Sequence, residues 1–223
     1  MRTLSLIRHA VTAWNLEGRV QGSRDVPLAA AGRAQALALR SRFAGERVLL
    51  YSSPLSRART TAALAFPEHA PILDPRLSEL DYGVFEGLTL AERQALPEWH
   101  AWRLEPFEHA PPGGESYREL TRRVTDWFVS LPDAPHVVAV THSGTVQALL
   151  TRLLDLPPTP WRKRFYLGQT SVTRLVLDGP DALLERLNDL AHLSTLAPDL
   201  RPAYPAPPAA RHPAEPERDV REP

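Results

Sequence analysis

Apolar residues gather in short runs separated by longer stretches with helical spacing, a pattern that predicts strands interleaved with helices. Leu4 to Ile7 is a short apolar run between polar residues, as suits an inner strand, and it ends on the pair Arg8-His9. Ala29 to Phe43 is rich in Ala, Leu, Arg and Gln, all good helix formers, and stops before Gly45, where a C-terminal glycine belongs. Arg47 to Tyr51 reads as a second strand. Ser53-Pro54 then predicts a helix start, with Ser53 as N-cap and Pro54 in the first turn, running to Pro67. Val137 to Val140 is the most strand-like run of the chain, and Ser143-Gly144 leads from it into an amphipathic helix through Leu154. Ser171 to Leu177 alternates as a further strand, while Ala182 to Leu187 fits an edge strand or a short helix, the strand better.

The pattern changes between about 81 and 135, where prolines, turn-like glycines and Trp99, Trp102, Phe107 and Trp127 accumulate. This stretch is expected to be an inserted cap. Thr89 with Glu92 and Ser116 with Glu119 are capping boxes, predicting helices at about 90–96 and 117–131. From Pro198 the chain turns to Pro, Ala, Arg and Glu, too poor in apolar anchors to offset chain entropy, so 198–223 is expected to be a disordered tail beside a folded domain over 1–197. Strands alternating with helices imply an α/β fold, a three-layer α/β/α sandwich around a mostly parallel sheet. Such sheets bind ligands beyond the carboxyl ends of their strands, where Arg8, His9 and His142 all fall.

Composition narrows the chemistry. The 223 residues carry no net formal charge, so no global field draws nucleic acid or an anionic membrane, and any anion site must be local. The absence of cysteine excludes disulfides, thiolate nucleophiles and zinc-finger sites. No 18-residue apolar stretch or signal-peptide core is present, so no membrane span is expected and residence in the cytoplasm is the expectation.

An Arg-His pair alone is ordinary, but Leu6-Ile7-Arg8-His9-Ala10-Val11-Thr12-Ala13-Trp14-Asn15 places a cation, an imidazole and two small polar groups at one strand end. The whole segment resembles the R-H-G-x-T-x-x-N signature of the histidine phosphatase superfamily, the phosphoglycerate-mutase-like proteins, with Ala10 in the usual Gly position. Four further segments resemble that family's motifs in the same order. They are Tyr51 to Ala62 with Arg57, Leu77 to Gly87 with Glu79, Gly113-Gly114-Glu115-Ser116, and Val140 to Gly144 with His142. The resemblance implies a metal-independent catalytic set with no cofactor. His9 would be the nucleophile that carries a phosphoryl group, Glu79 the proton donor and acceptor, His142 the second catalytic histidine, and Arg8 and Arg57 the phosphate ligands. Thr12 and Asn15 either contact phosphate too or merely cap local backbone and close a turn.

The physical reasoning agrees with these roles. Phosphoryl transfer mainly needs positioning and charge stabilisation, and forked guanidinium groups match non-bridging phosphate oxygens in a way that lysine does not. Two nearby arginines disfavour imidazolium and keep His9 neutral for attack, and the helix after Ser143 would offer a further electropositive edge. The remaining histidines show no metal-ligand spacing, and zinc on His9, His142 and Glu79 is disfavoured by the two arginines. Trp99 and Trp102 are expected to pack, and Arg162-Lys163-Arg164 to be a solvated loop. Leu80 stands where the mutases of the family have an Arg after the catalytic Glu, and Trp99 to Pro112 offers only Arg103 as a full cation. The chain thus looks more like the smaller phosphatases, such as α-ribazole phosphatases and broad-specificity phosphomonoesterases. A small phosphorylated substrate follows, with phosphoglycerate mutase and non-catalytic phospholigand sensor as the alternatives.

Overall fold

The computed structural model describes residues 2–157, 165–179 and 181–201. Its centre is a six-stranded sheet of β1 (Arg2–Arg8), β2 (Leu49–Ser52), β3 (Ile72–Leu73), β4 (His136–Thr141), β5 (Val172–Asp178) and β6 (Asp181–Asp189) in the order β3-β2-β4-β1-β5-β6. The first four of these run parallel, β5 is antiparallel to β1, and β6 is antiparallel to β5 and so runs with the other four. The sheet is therefore mostly parallel, as the alternating pattern implies. Ala182 to Leu187 is indeed strand, at an edge.

Each inner strand feeds two cores because successive side chains point to opposite faces. Leu4 and Leu6 of β1 and Val137 and Ala139 of β4 enter one core, and Ile7, Val138 and Val140 enter the other. The first core is closed by α6 (Tyr117–Val129) and α7 (Ser143–Leu153), through Leu120, Val124, Trp127, Val146, Leu149 and Leu150. The second is closed by α3 (Ser56–Ala65), whose Ala58, Ala62 and Ala65 recur at helical spacing, and by Leu39 and Phe43 beyond α2 (Ala30–Ala38). Helices thus cover both faces of the sheet.

The segment expected at about 81 to 135 divides in two. Its second half is α6, a member of the layer over the sheet, with the Trp127 ring edge-on to Tyr51 of β2 at 5.7 Å. The first half leaves the layers, with α4 (Leu90–Gln94) and α5 (Pro97–Trp102). There Tyr82, Phe85, Trp99, Trp102 and Tyr117 pack at centroid separations of 5.2 to 6.4 Å, with Tyr82–Trp102 and Phe85–Trp99 edge-on as aromatic quadrupoles prefer. Both capping boxes form as the sequence predicts.

Other expectations need correction. α3 begins at Ser56 with Leu55 in the cap position, so Ser53 is not its N-cap. β3 and α5 carry no clear pattern in the sequence. Pro198–Leu200 is a 3-10 turn whose Leu200 carbonyl accepts from Gln35 at 2.7 Å, so the ordered chain extends past 197. The rest of the expected tail, 202–223, and Arg162-Lys163-Arg164 lie outside the described residues.

Candidate active site

The position of His9 follows from sheet order. β1 and β4 are parallel neighbours, with Arg8 opposite Thr141, and the His9 N–H donates to the Thr141 carbonyl at 2.8 Å. The residues that follow the two strands, His9 and His142, are thereby brought together with ring centroids 5.1 Å apart. On the other side of β1, Thr170 donates its N–H to the Arg8 carbonyl at 3.0 Å while holding φ at +59°. That left-handed conformation is costly for a β-branched residue, on the order of 1–3 kcal/mol, and strain of this kind concentrates at functional sites. His192 braces Thr170, its Nε2 lying 3.0 Å from the threonine hydroxyl.

His9 is 3% exposed, and its Nδ1 lies 2.7 Å from the Ala10 carbonyl, an atom that can only accept. Nδ1 therefore carries the proton, and the lone pair is on Nε2. Burial pushes the His9 pKa well below the ordinary histidine value, and the charges of Arg57 and Arg8 push it the same way, so the ring is neutral at physiological pH. Ala10 occupies its position without a positive φ, and its N–H donates to Thr61 Oγ1 at 3.0 Å.

Arg57 is completely buried on the first turn of α3. Its Nε donates to His142 Nδ1 at 3.2 Å, and its two terminal nitrogens donate to the carbonyls of Arg24 and Gly22 at 2.6 and 2.7 Å. Three of its five N–H groups are so engaged, leaving two for an anion. Burial lowers its pKa to about 10, against the favourable charges of Glu79, Asp25 and Glu86, so it stays cationic near neutrality. Arg8 reaches the Leu167 carbonyl at 2.5 Å and is lowered by desolvation, with Glu79 acting in the opposite direction.

Because His142 Nδ1 accepts from Arg57, its proton is on Nε2, which donates to Ser53 Oγ at 2.8 Å. Burial, then Arg57, keeps this ring neutral as well. Ser53 is thus a site residue that sequence reasoning assigned to a helix cap. Position alone could have found it, at the end of β2 beside β4, its N–H bonded to the Val140 carbonyl.

Glu79 reaches the site from the loop after a 3-10 turn at Pro75–Leu77. Its carboxylate accepts from the N–H of Leu80 and from that of Gly144, both at 3.0 Å. A first-turn N–H of α7, expected to face phosphate, therefore faces Glu79. A Cβ on Gly144 would sit 2.3 Å from Glu79 Oε1, so the carboxylate occupies the space that any larger residue would fill.

Thr12 and Asn15 form a capping box on α1 (Ala13–Leu16), with Thr12 Oγ1 also 2.9 Å from Gln21 Oε1. The structure places them in the local role that the sequence left open, while the Asn15 amide nitrogen makes no hydrogen bond among the described residues. Glu86 likewise carried no sequence-based assignment. Its side chain is 3% exposed and grips the loop before α2 through Ser23 N–H at 2.6 Å, Ser23 Oγ at 3.0 Å and Arg24. That loop supplies the carbonyls that orient Arg57.

A model of the histidine phosphatase superfamily (branch 1) matches residues 4–190. The chain belongs to this family. Among histidine phosphatase relatives, a glucosyl-3-phosphoglycerate phosphatase of Mycolicibacterium vanbaalenii is 36% identical over 191 residues, covering 78% of this chain and 84% of its own. A 2,3-bisphosphoglycerate-dependent phosphoglycerate mutase of Azorhizobium caulinodans is 32% identical over 206 residues, covering 85% and 98%. The crystal structure of an Entamoeba histolytica phosphoserine phosphatase variant with phosphoserine superposes with a TM-score of 0.79 at 27% identity, covering 86% of this chain and all of the other. Histidine phosphatases of similar sequence thus include both phosphatases and mutases. Among the described residues no helix is long and apolar enough to cross a membrane, and no cluster of three or more His, Cys, Asp or Glu could hold a metal ion.

Proposed function

We propose that this histidine phosphatase is a phosphomonoesterase that hydrolyses a small phosphorylated metabolite through a phosphohistidine on His9. The observation that carries the reading is the neutral, buried His9 with its proton tied to the Ala10 carbonyl and its Nε2 lone pair unencumbered beside Arg57. Nε2 attacks phosphorus as the ester P–O bond breaks, and the departing alkoxide takes a proton from Glu79. Water then attacks the phosphohistidine, losing its proton to Glu79, and the P–N bond breaks to free His9 and inorganic phosphate. Arg8 and the two remaining N–H groups of Arg57 bind the equatorial oxygens. The Asn15 amide nitrogen adds a donor, and Thr12 acts by holding Asn15 and Gln21. His142 donates from Nε2 once phosphate displaces Ser53 from it.

The identity to a phosphoglycerate mutase keeps that second reading alive, although Arg103 in the cap lies over Trp99, its guanidinium carbon 5.9 Å from the ring. Hydrolysis of p-nitrophenyl phosphate in excess EDTA, an acid-labile phosphoenzyme after rapid quench, and loss of both in His9→Ala are the results expected. Turnover by His9→Ala equal to that of the parent would overturn the proposal. Interconversion of 2- and 3-phosphoglycerate, stimulated by 2,3-bisphosphoglycerate and faster than hydrolysis, would favour the mutase.

A further inference from the structure

Among the described residues no side chain holds the Glu79 carboxylate. Its two partners are main-chain N–H groups, so the direction in which it points depends on where the backbone around it runs. That backbone is gripped from α6. Arg123 donates from one terminal nitrogen to the carbonyls of Arg76 and Ser78 at 2.8 and 2.7 Å, and from the other to the carbonyl of Glu79 itself at 2.9 Å. Its remaining two N–H groups meet Glu115, Nε to Oε2 at 3.0 Å and the second terminal nitrogen to Oε1 at 2.5 Å. All five donors of one guanidinium are therefore satisfied, three of them by the segment that carries Glu79. Glu115 completes the grip, with Oε1 accepting from the Asp81 N–H at 3.2 Å and its own N–H donating to the Asp81 carbonyl at 3.0 Å.

We propose that Arg123, locked by Glu115, is the positioning residue for the proton donor, fixing the path of residues 76–81 so that the Glu79 carboxylate is held against the leaving group. The inference rests on the reading of Glu79 as proton donor. A planar fork suits the task because its donors diverge at fixed angles, whereas an ammonium on a flexible stem cannot span three carbonyls and a carboxylate together. The chain thereby uses one ion pair of its second half to align an acid in its first.

A residue that merely ties α6 to the sheet layer would slow every substrate alike when lost. A residue that aims the acid would slow only substrates whose leaving group needs a proton. The experiment therefore measures kcat/KM, which covers only the steps up to phosphoenzyme formation, for 2,4-dinitrophenyl, p-nitrophenyl and phenyl phosphate with the parent, Glu79→Gln, Arg123→Ala and Arg123→Lys. General acid catalysis is worth roughly 100- to 10,000-fold. Arg123→Ala is expected to lose about 100-fold on phenyl phosphate but less than about 3-fold on the dinitrophenyl ester, tracking Glu79→Gln in slope. Arg123→Lys should fall between, and it carries the test if Arg123→Ala does not fold by circular dichroism. Equal losses along the series for both Arg123 variants, with a steep slope for Glu79→Gln, would sink this inference alone. A flat series for Glu79→Gln would remove the proton-donor reading and this proposal with it.

Discussion

The polar basin at the ends of β1, β2 and β4 and the aromatic cluster around Trp99 and Trp102 are built on opposite principles. In the basin the polar side chains are held largely by main-chain groups: the His9 ring by the Ala10 carbonyl, Arg57 by the carbonyls of Gly22 and Arg24, Glu79 by the N–H groups of Leu80 and Gly144. In the cluster, Phe85, Trp99 and Trp102 hold one another by ring packing. Hydrogen bonds to fixed carbonyls define direction, and ring packing defines volume. The contrast teaches that the basin fixes the directions of its polar groups, while the aromatic cluster supplies buried volume and stability.

The largest effect that sharpens this contrast is expected from Arg57→Ala, which should lower kcat/KM for p-nitrophenyl phosphate by about 1,000-fold, roughly 4 kcal/mol of transition-state stabilisation. Arg57→Lys should recover little of it, because an ammonium cannot meet two carbonyls, His142 and phosphate at once. Steady-state kinetics decide the matter, and a loss below tenfold would break the comparison from the basin side. Trp99→Ala should instead act on folding, lowering stability by about 3–4 kcal/mol in urea denaturation, since it empties a large and nearly enclosed site. Trp99→Phe should lose much less, as the indole N–H it removes is buried without a partner among the described residues.

The third effect is slightly smaller and depends on pH. His192 donates from Nε2 to Thr170, whose hydroxyl in turn donates to the Gln169 carbonyl, and its Nδ1 is buried without a partner among the described residues. Burial chiefly, and Arg42 in addition, lower its pKa to about 4, with Asp189 opposing. As pH falls from 6.5 to about 4, the unfolded chain binds a proton that folded His192 refuses, so stability present above 6.5 is lost through that window, by up to about 3 kcal/mol from this group. The buried His9 and His142 act in the same direction. His192→Gln should therefore flatten the fall of stability with acid. An unchanged slope of unfolding free energy against pH would show that this ring titrates freely.

Much of this architecture was legible because it is written in local signals. Apolar runs marked β1, β2, β4 and β5, capping boxes marked α4 and α6, and ordered motifs marked His9, Arg57, Glu79 and His142. What stayed hidden depends on three-dimensional register. Ser53 looked like a helix cap because Ser-Pro is a good helix start, and tertiary placement beside His142 prevailed over that local preference. The grip of Arg123 on 76–79 and of Arg57 on the 22–24 loop involves main-chain carbonyls, which have no letter in a sequence. β3 is two exposed residues long, too short for any periodicity to mark.

The strand that delivers His9 is the first of the described strands, yet it lies between partners that begin at His136 and Val172. A growing polypeptide exposes that imidazole before either flanking strand exists, so His9 emerges ahead of the surroundings it will need. Pairings of such long sequence separation slow folding, because loop closure precedes any reward. The site and the completed sheet must then appear together, and a truncated chain lacking β4 would retain His9 without the Thr141 carbonyl and the His142 ring beside it.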